Sequence, residues 1–589
     1  MKNEELGDFT TTPRLLTVSG LAVIIGTFSA FVALALLKLI GLFTNIFFYQ
    51  RWNTALISPT EHQLGVFVVL VPMIGGLIIG FMARYGSERI RGHGIPEAIE
   101  AILLNGSRVE PKVALLKPLS AAISIGSGGP FGAEGPIIMT GGAFGSMAAQ
   151  LFHLTSTERK TLLVAGAAGG MSATFASPLA AAMLAAELLL FEWKPRSLVP
   201  VALSSAVAAV VRRYLLGLGP LFPVPPHPAV VAPQGLLFCL VAGVLSGGLA
   251  ALLTRAVYFS EDTFQKLPIH WMWWPTIGGL IIGLGGLIFP QALGVGYETI
   301  GDLIQGDVPG RIIVGVLIVK SAIWALSLGS GTSGGVLAPL LMIGGALGGV
   351  ESMFFPNEGI GFWPLVSMGA VLGGTMRCPF TGIIFALEVT HDFNAMFPLF
   401  IAVMAAYAFT VLVMKRSILT EKISRRGFHL SREYSIDPLE ILFVREVMRT
   451  SIVALPEGIS PEDLSVRTES RYSRVQHLYP VVDKDGRLTG VVTRKNLQEV
   501  IERNVTFREA IKRAPVTAFP DEPLRIVVNR MAETGLTRMP VVERGNPGNL
   551  LGLIALSDLL RARTRNLEEE RRRERVLRLR FPRALTRVS

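Results

Sequence analysis

From Leu15 to about Lys422 the chain alternates long apolar runs with short breaks of glycine and proline. Runs at 15–37, 161–186, 267–297 and 321–350 carry no formal charge. Each has the ~20 residues that a helix needs to cross a bilayer, so the pattern predicts membrane-spanning helices. The first run is too long for a signal-peptide core and has no small-residue cleavage site, so it reads as a retained span. Several runs are interrupted in mid-course; 321–350 carries GSGTSGG in its middle. Broken backbone at membrane depth is tolerated only where protein or a wet cavity covers it, and such breaks point to a transporter's binding site. Residues 218–234, rich in proline with one histidine, read as a connection between two halves.

After Arg426 the pattern changes. From about Leu439 the chain is amphipathic, charged and soluble in character. Short β-branched runs at 479–483 and 490–494 recur at 539–543 and 552–556, and such runs read as strands. They alternate with the helical stretches 497–503 and 524–534. The reading is a pair of small α/β modules packed against each other.

The apolar region repeats as well. Pro136 is followed by glycines at 141, 142 and 145, and Pro339 by glycines at 344, 345 and 348. PLAAAMLAAE at 178–187 recurs as PFTGIIFALE at 379–388, with the Glu nine residues after the Pro in both. The offsets, 203 and 201 residues, agree. Repeats of this kind place a substrate site at the interface of two halves, with helix N-termini aimed at an anion.

Composition supports the membrane reading. Half of the 589 residues are hydrophobic, mean hydropathy is +0.50, and 17% are charged, against roughly 25% in a soluble domain. Cys239 and Cys378 both lie in apolar surroundings, which predicts buried free thiols rather than a disulfide framework or a thiolate metal site. The net charge of +11 does not imply nucleic acid. Much of it sits at segment ends, at Lys194, Arg196, Arg212, Arg213, Lys415, Arg416, Arg425 and Arg426, as expected of cytoplasmic flanks. Eight arginines from Arg571 to Arg587 make a basic tail, which either touches anionic lipid or forms a solvated helix.

The candidate chemistry centres on residues 126–145, GSGGPFGAEGPIIMTGGAFG. Glu134 is the only Lys, Arg, Asp or Glu between Lys117 and Glu158. A lone carboxylate at hydrocarbon depth is costly and marks a functional site by default. Glycines precede it, and Gly135-Pro136 open a new apolar run; proline suits the first helical turn. Glu134 is therefore expected at a helix N-terminus, where free N–H groups favour negative charge. An anion or the carboxylate itself can occupy that place, which suggests a gate. The alternative is a helix-capping Glu inside a bundle.

Three loops carry a resemblance: GHGIPEA at 92–98, GAEGP at 132–136 and GGVLAP at 334–339. In order and spacing they resemble the GSGIP, GREGP and GxFxP loops of the CLC family of chloride channels and chloride/proton antiporters, followed here by a tandem pair of CBS modules. The resemblance implies an all-α polytopic membrane domain of two inverted repeats with broken re-entrant helices, plus a cytoplasmic α/β CBS module. The implied organisation is a cytoplasmic segment 1–13, a transport domain 14–426 with halves 14–217 and 235–426, CBS modules 439–503 and 504–565, and a tail 566–589. It also implies a homodimer in the lipid bilayer, with one pathway per subunit for chloride or another monovalent anion, and protons as the second substrate. Glu134 becomes the gating glutamate. His93, Gly94, Ile95, Ala133, Gly135, Val336, Leu337 and Leu419 become the candidate anion-binding positions, with backbone N–H groups as the main donors.

The departures from the family pattern bear on selectivity and coupling. His93 stands where the family has a serine; it either donates to the anion or bonds a carbonyl. Leu419 aligns with a tyrosine donor and cannot donate. Ala133 replaces an arginine. Leu188 holds the position of an inner proton acceptor, which leaves Glu187 as the proton-pathway candidate or as a cap on a neighbouring helix; Glu388 has the same capping alternative. No cofactor is required. Adenine nucleotide binding at the CBS pair would fall to Thr493 and Asp558, but Asn496 and Ala555 damage each half of that motif. Anion/proton antiport is the leading reading and a passive gated anion channel the nearest alternative. A CBS-regulated divalent-cation transporter would need acidic residues in the spans, and a CBS-bearing enzyme would need a nucleophile and base; neither pattern is present.

Overall fold

A computed structural model describes residues 11–225, 227–306, 308–427, 439, 442–459, 476–497 and 514–571. The chain divides into two compact units, Met1–Arg432 and Glu433–Ser589.

The first unit is helical. Its first half holds α1 (Arg14–Tyr49), α2 (Leu70–Tyr85), α3 (Ile95–Leu103), α4 (Pro111–Gly126), α5 (Glu134–Gln150), α6 (Ser156–Phe175), α7 (Pro178–Leu184) and α8 (Pro195–Leu216). Its second half holds α9 (Pro233–Gln265), α10 (Trp274–Ile288), α11 (Tyr297–Gln305), α12 (Gly310–Gly315), α13 (Ser321–Gly329), α14 (Leu337–Glu351), α15 (Phe362–Met376), α16 (Pro379–Thr390), α17 (Met396–Val413) and α18 (Ile418–Arg425). Among the described residues, seven helical stretches are long and apolar enough to cross a membrane. The proline-rich stretch joins α8 to α9.

Two of the charge-free runs are not single spans. The run 161–186 breaks because Ala176 adopts the left-handed conformation (φ 56°) and Pro178 then opens α7; proline is tolerated in a first turn but ends the helix before it. The same device recurs 201 residues on, at Arg377 (φ 56°) and Pro379. In 321–350 the GSGTSGG break separates α13 from α14.

The repeated glycines have a packing role. A Cβ on Gly141 would strike the Gly166 carbonyl, and one on Gly348 would strike that of Trp363, so α5 on α6 and α14 on α15 approach at backbone distance. The repeated glutamates exchange caps across the two halves. Glu187 accepts from the N–H groups of Phe380 (3.2 Å) and Thr381 (2.8 Å) and from the Thr381 hydroxyl (2.6 Å). Glu388 accepts from the N–H groups of Leu179 (2.9 Å) and Ala180 (2.7 Å). Each carboxylate thus satisfies N–H groups at the start of its counterpart's helix, which have no intrahelical partner.

In the second unit, β1 (Leu455–Pro456) pairs in parallel with β2 (Leu478–Val482), which pairs antiparallel with β3 (Leu488–Thr493). β4 (Arg538–Glu543) and β5 (Asn546–Ala555) form an antiparallel pair. A backbone bridge between Arg487 and Asn549 joins the two modules. The helix at Leu524–Thr534 buries Leu524, Val527 and Met531 against Met539, Val541 and Ile554. The expected helix 497–503 beyond Leu497, and the tail from residue 572, lie outside the described residues.

Candidate functional site at the crossing of three loops

Three glycine-bearing loops meet ahead of α3, α5 and α14. Gly132 and Gly335 exchange backbone hydrogen bonds (3.1 and 2.7 Å), and Gly92 donates to the Thr332 carbonyl (3.0 Å). These bridges bring three helix N-termini together. The first N–H groups of each have no intrahelical partner, and their partial positive charge converges on one place.

Buried lysines hold the loops. Lys117, fully buried on α4, donates to the carbonyls of Ile90 (2.8 Å) and Gly92 (2.7 Å) and to the Ser333 hydroxyl (3.2 Å). Lys320 donates to the carbonyls of Ala292 (2.9 Å) and Gly294 (2.7 Å), ahead of α11. A buried ammonium is tolerable only when hydrogen-bonded, so each lysine fixes the carbonyls it touches. Neither lysine is marked by its local sequence, although their spacing of 203 residues matches the repeat.

Glu134 is the first residue of α5 and is 0% exposed. Its carboxylate faces its own backbone N–H, that of Ala338 and the hydroxyl of Tyr297. It closes a hydrogen bond with none of them, and both oxygens are buried without a partner. A Cβ on Gly132 would collide with this carboxylate; glycine is required there to admit it.

Ala133, Gly135, Val336 and Leu337 are fully buried around the same point. The backbone of His93 abuts Gly135 so closely that a Cβ on Gly135 would strike the His93 carbonyl. The His93 ring is buried (4% exposed) and its Nδ1 has no hydrogen-bond partner. Gly94 has φ +90°, which suits glycine. Its N–H is expected to serve an anion, but it donates to Glu97 Oε2 at 2.9 Å. The N–H is therefore committed to a capping interaction, a correction to that expectation. Glu97 also pairs with Lys422 on α18 (2.6 Å).

Leu419 is fully buried in the first turn of α18 and offers no donor. Beside it, Tyr258 of α9 donates its hydroxyl to the Ile418 carbonyl. Tyr258 has no signal in the sequence, because it reaches the site from a helix remote along the chain; Tyr297 is marked only by Gly294 and Gly296, which repeat Gly92 and Gly94 202 residues on. The sequence leaves Glu187 as a proton-pathway candidate or a cap on a neighbouring helix; its carboxylate caps α16. Leu188 is fully buried.

Two clefts lead towards the loops. One of about 570 Å³ reaches His93, with Arg89, Arg91, Arg108, Lys422 and Arg426 in its wall against Glu88, Glu97, Glu100 and Glu261. The Arg91 guanidinium lies over the Trp271 ring, 4.6 Å from its centroid. The other, of about 110 Å³, is lined by Thr44, Ile125 and residues 294–297, including Tyr297.

In the second unit, both nucleotide candidates have internal partners. Thr493 Oγ1 donates to Asn496 Oδ1 at 2.5 Å. Asp558 accepts from the Ala555 N–H (3.0 Å) and from Arg449 (2.6 Å).

Residues 75–411 match the family model described as voltage gated chloride channel, and residues 444–503 and 507–565 each match that of the CBS domain. The H(+)/Cl(-) exchange transporter ClcA of Vibrio campbellii is 29% identical over 435 residues, 70% of this chain and 91% of the relative. A slow cyanobacterial Cl-/H+ antiporter superposes with a TM-score of 0.60 at 20% identity, covering 71% of this chain and 99% of that one. A eukaryotic CLC transporter superposes with a TM-score of 0.58 at 20% identity, covering 92% and 98%.

Proposed function

Since the chain belongs to the voltage gated chloride channel family, we propose that it exchanges a small monovalent anion, with chloride the first candidate, for protons across a membrane, with Glu134 as the gate. The relatives named for chloride/proton exchange support the substrates. The observation that carries the gate is the Glu134 carboxylate, wholly buried where three loops cross and hydrogen-bonded to nothing.

The chemistry follows from that setting. Converging helix N-termini favour one negative charge. Ionised Glu134 supplies it and fills the anion's place. Burial in apolar surroundings penalises the ionised form, and helix N–H groups favour it. A proton or an incoming anion therefore shifts the balance. Protonated, the side chain has no claim on the N–H groups and yields them to the anion. Leaving and returning with a proton, it links anion passage to proton passage. The N–H groups of Ile95, Val336, Leu337 and Ala338 and the ring of His93 are the donors available to the anion.

The large cleft is taken to face the cytoplasm, since Arg and Lys concentrate there; the small one then faces outward. The CBS pair would be cytoplasmic and the assembly a homodimer. With Thr493 and Asp558 engaged internally, the CBS pair is read as a structural module rather than a nucleotide sensor. The second reading, a passive gated channel, is favoured by buried Leu188 and the commitment of Glu187 to a cap.

The test is paired recording of anion efflux and external pH from liposomes, for wild type and Glu134→Gln. Exchange requires anion-driven proton movement in wild type, and its loss in E134Q while anions still pass. Anion flow without proton movement in wild type establishes the channel; no flow of chloride, nitrate or fluoride refutes both readings.

A further inference from the structure

Among the described residues lining the large cleft there is no aliphatic hydroxyl and the one phenol, Tyr258, is bonded to Ile418, while His93 and Leu419 stand at the two positions where the resemblance expects a hydroxyl. Tyr297 offers a hydroxyl on the outward side of Glu134. It is the first residue of α11, the second-half counterpart of α3. Gly294 and Gly296 follow Gly92 and Gly94 by 202 residues, and Lys320 holds the Gly294 carbonyl as Lys117 holds that of Gly92. The ring is set edge-on to Phe175 (centroids 6.2 Å) and tilted against Phe222 (6.0 Å), which fixes its direction. Its hydroxyl oxygen is buried with no hydrogen-bond partner, facing a carboxylate whose two oxygens are equally without one. A buried donor left unpaired is costly, and such groups in native structures almost always have an acceptor. The ring also lines the small cleft.

We infer that Tyr297 is a binding residue of an outer anion site. Its phenolic O–H donates to the anion standing at the N-termini of α5 and α14 while Glu134 is displaced. The donor acts from the outward side, so it sets the affinity for external anion and leaves the inward-facing donors untouched. It favours compact anions such as chloride, whose charge is concentrated enough to hold an O–H closely. The inference rests on the exchange reading above.

Tyr297→Phe removes the O–H and keeps the ring and its packing. Initial chloride flux is measured in liposomes against external and internal chloride separately. Asn105→Cys in the large-cleft wall allows an impermeant thiol reagent to silence the population inserted the other way round. The external half-saturation of Y297F should rise about five- to tenfold, the scale of one hydrogen bond, with the internal value within twofold of the parent. Phe175→Leu, which disturbs the ring's packing and keeps the O–H, should give a smaller external shift. An external value within twofold in Y297F overturns the inference, and so does an equal shift on both sides, which marks general distortion. If the parent moves no chloride, nitrate or fluoride, the exchange reading itself fails, and the inference with it.

Discussion

Replacing Glu187 by glutamine separates two roles that its position in the chain leaves open. In the structure its carboxylate accepts from the backbone N–H groups of Phe380 and Thr381 and from the Thr381 hydroxyl, at the start of α16. Bonds to a charged acceptor contribute about 1.5–3 kcal/mol each, against about 1 for neutral pairs. A negative charge at a partly buried helix N-terminus adds up to ~2 kcal/mol. Glutamine keeps one acceptor oxygen and places an NH₂ where the second stood, so at least one donor loses its partner. With the side chain half-buried, the expected net loss is about 2 kcal/mol. A domain of 150–250 residues loses about 2–4 °C in Tm per kcal/mol, and the membrane unit is larger, so a fall of about 2–5 °C is expected. The assay pairs thermal melting in detergent, followed by gel filtration, with anion and proton flux in liposomes. A cap predicts a lower Tm with the protons carried per anion unchanged. Glu388→Gln should fall further, because its carboxylate is more deeply buried. If E187Q melts as wild type does and its proton flux disappears while anions still pass, the capping role is refuted and the carboxylate is a proton acceptor.

Gly132→Ala puts a methyl group where the Glu134 carboxylate lies; anion flux should persist, with protons carried per anion reduced several-fold in the liposome assay. Outside the spans, burial works to raise the Glu192 carboxyl, but the Ser197 hydroxyl, Lys160 and Arg196 outweigh it and hold it at about 2 against an ordinary 4.5. A lowered pKa contributes stability above the unfolded value that is lost as pH falls through the folded one. Glu192→Gln should thus melt below wild type at pH 6, with the gap closing as pH falls from about 4.5 to 2. In the second unit, Arg449→Ala removes the nearer guanidinium from the buried Asp558 carboxylate, which keeps the Ala555 N–H and Arg561 at 3.8 Å, and should cost about 1–2 kcal/mol. The double variant with Asp558→Asn should recover part of the loss, read from chemical denaturation of the full chain.

Local rules carried much of this protein. Charge-free runs of spanning length announced the membrane unit, a glycine break between α13 and α14 announced a re-entrant turn, and Gly135-Pro136 put Glu134 at a helix start, where α5 begins. The β-branched doublets found β2 through β5, because alternation along a short strand is a local signal. The two-residue β1 was missed, being too short to show one. The Pro-to-Glu repeat at an offset of 201 residues was legible, and so was capping as one role for its glutamates; which helix each one caps was not. The fact that Glu187 and Glu388 cap each other's helices depends on two segments about 200 residues apart meeting start to start.

Local capping took one donor from the site, and tertiary contact decided the rest. The Gly94 N–H is taken by Glu97 three residues on, which a capping box already spells. The anchoring of Glu97 to Lys422 is set by α18 folding back onto α3. Lys117 and Lys320 are unremarkable as letters and become loop clamps because burial forces each ammonium onto the nearest carbonyls. Tyr258 enters from a helix remote along the chain, so no local pattern could announce it, and Tyr297 is marked only by a long-range glycine repeat. The sequence determines what each segment can do by itself, since propensity and periodicity act over a few residues. The site is made where segments converge, and which polar groups pair there is a property of the packed whole.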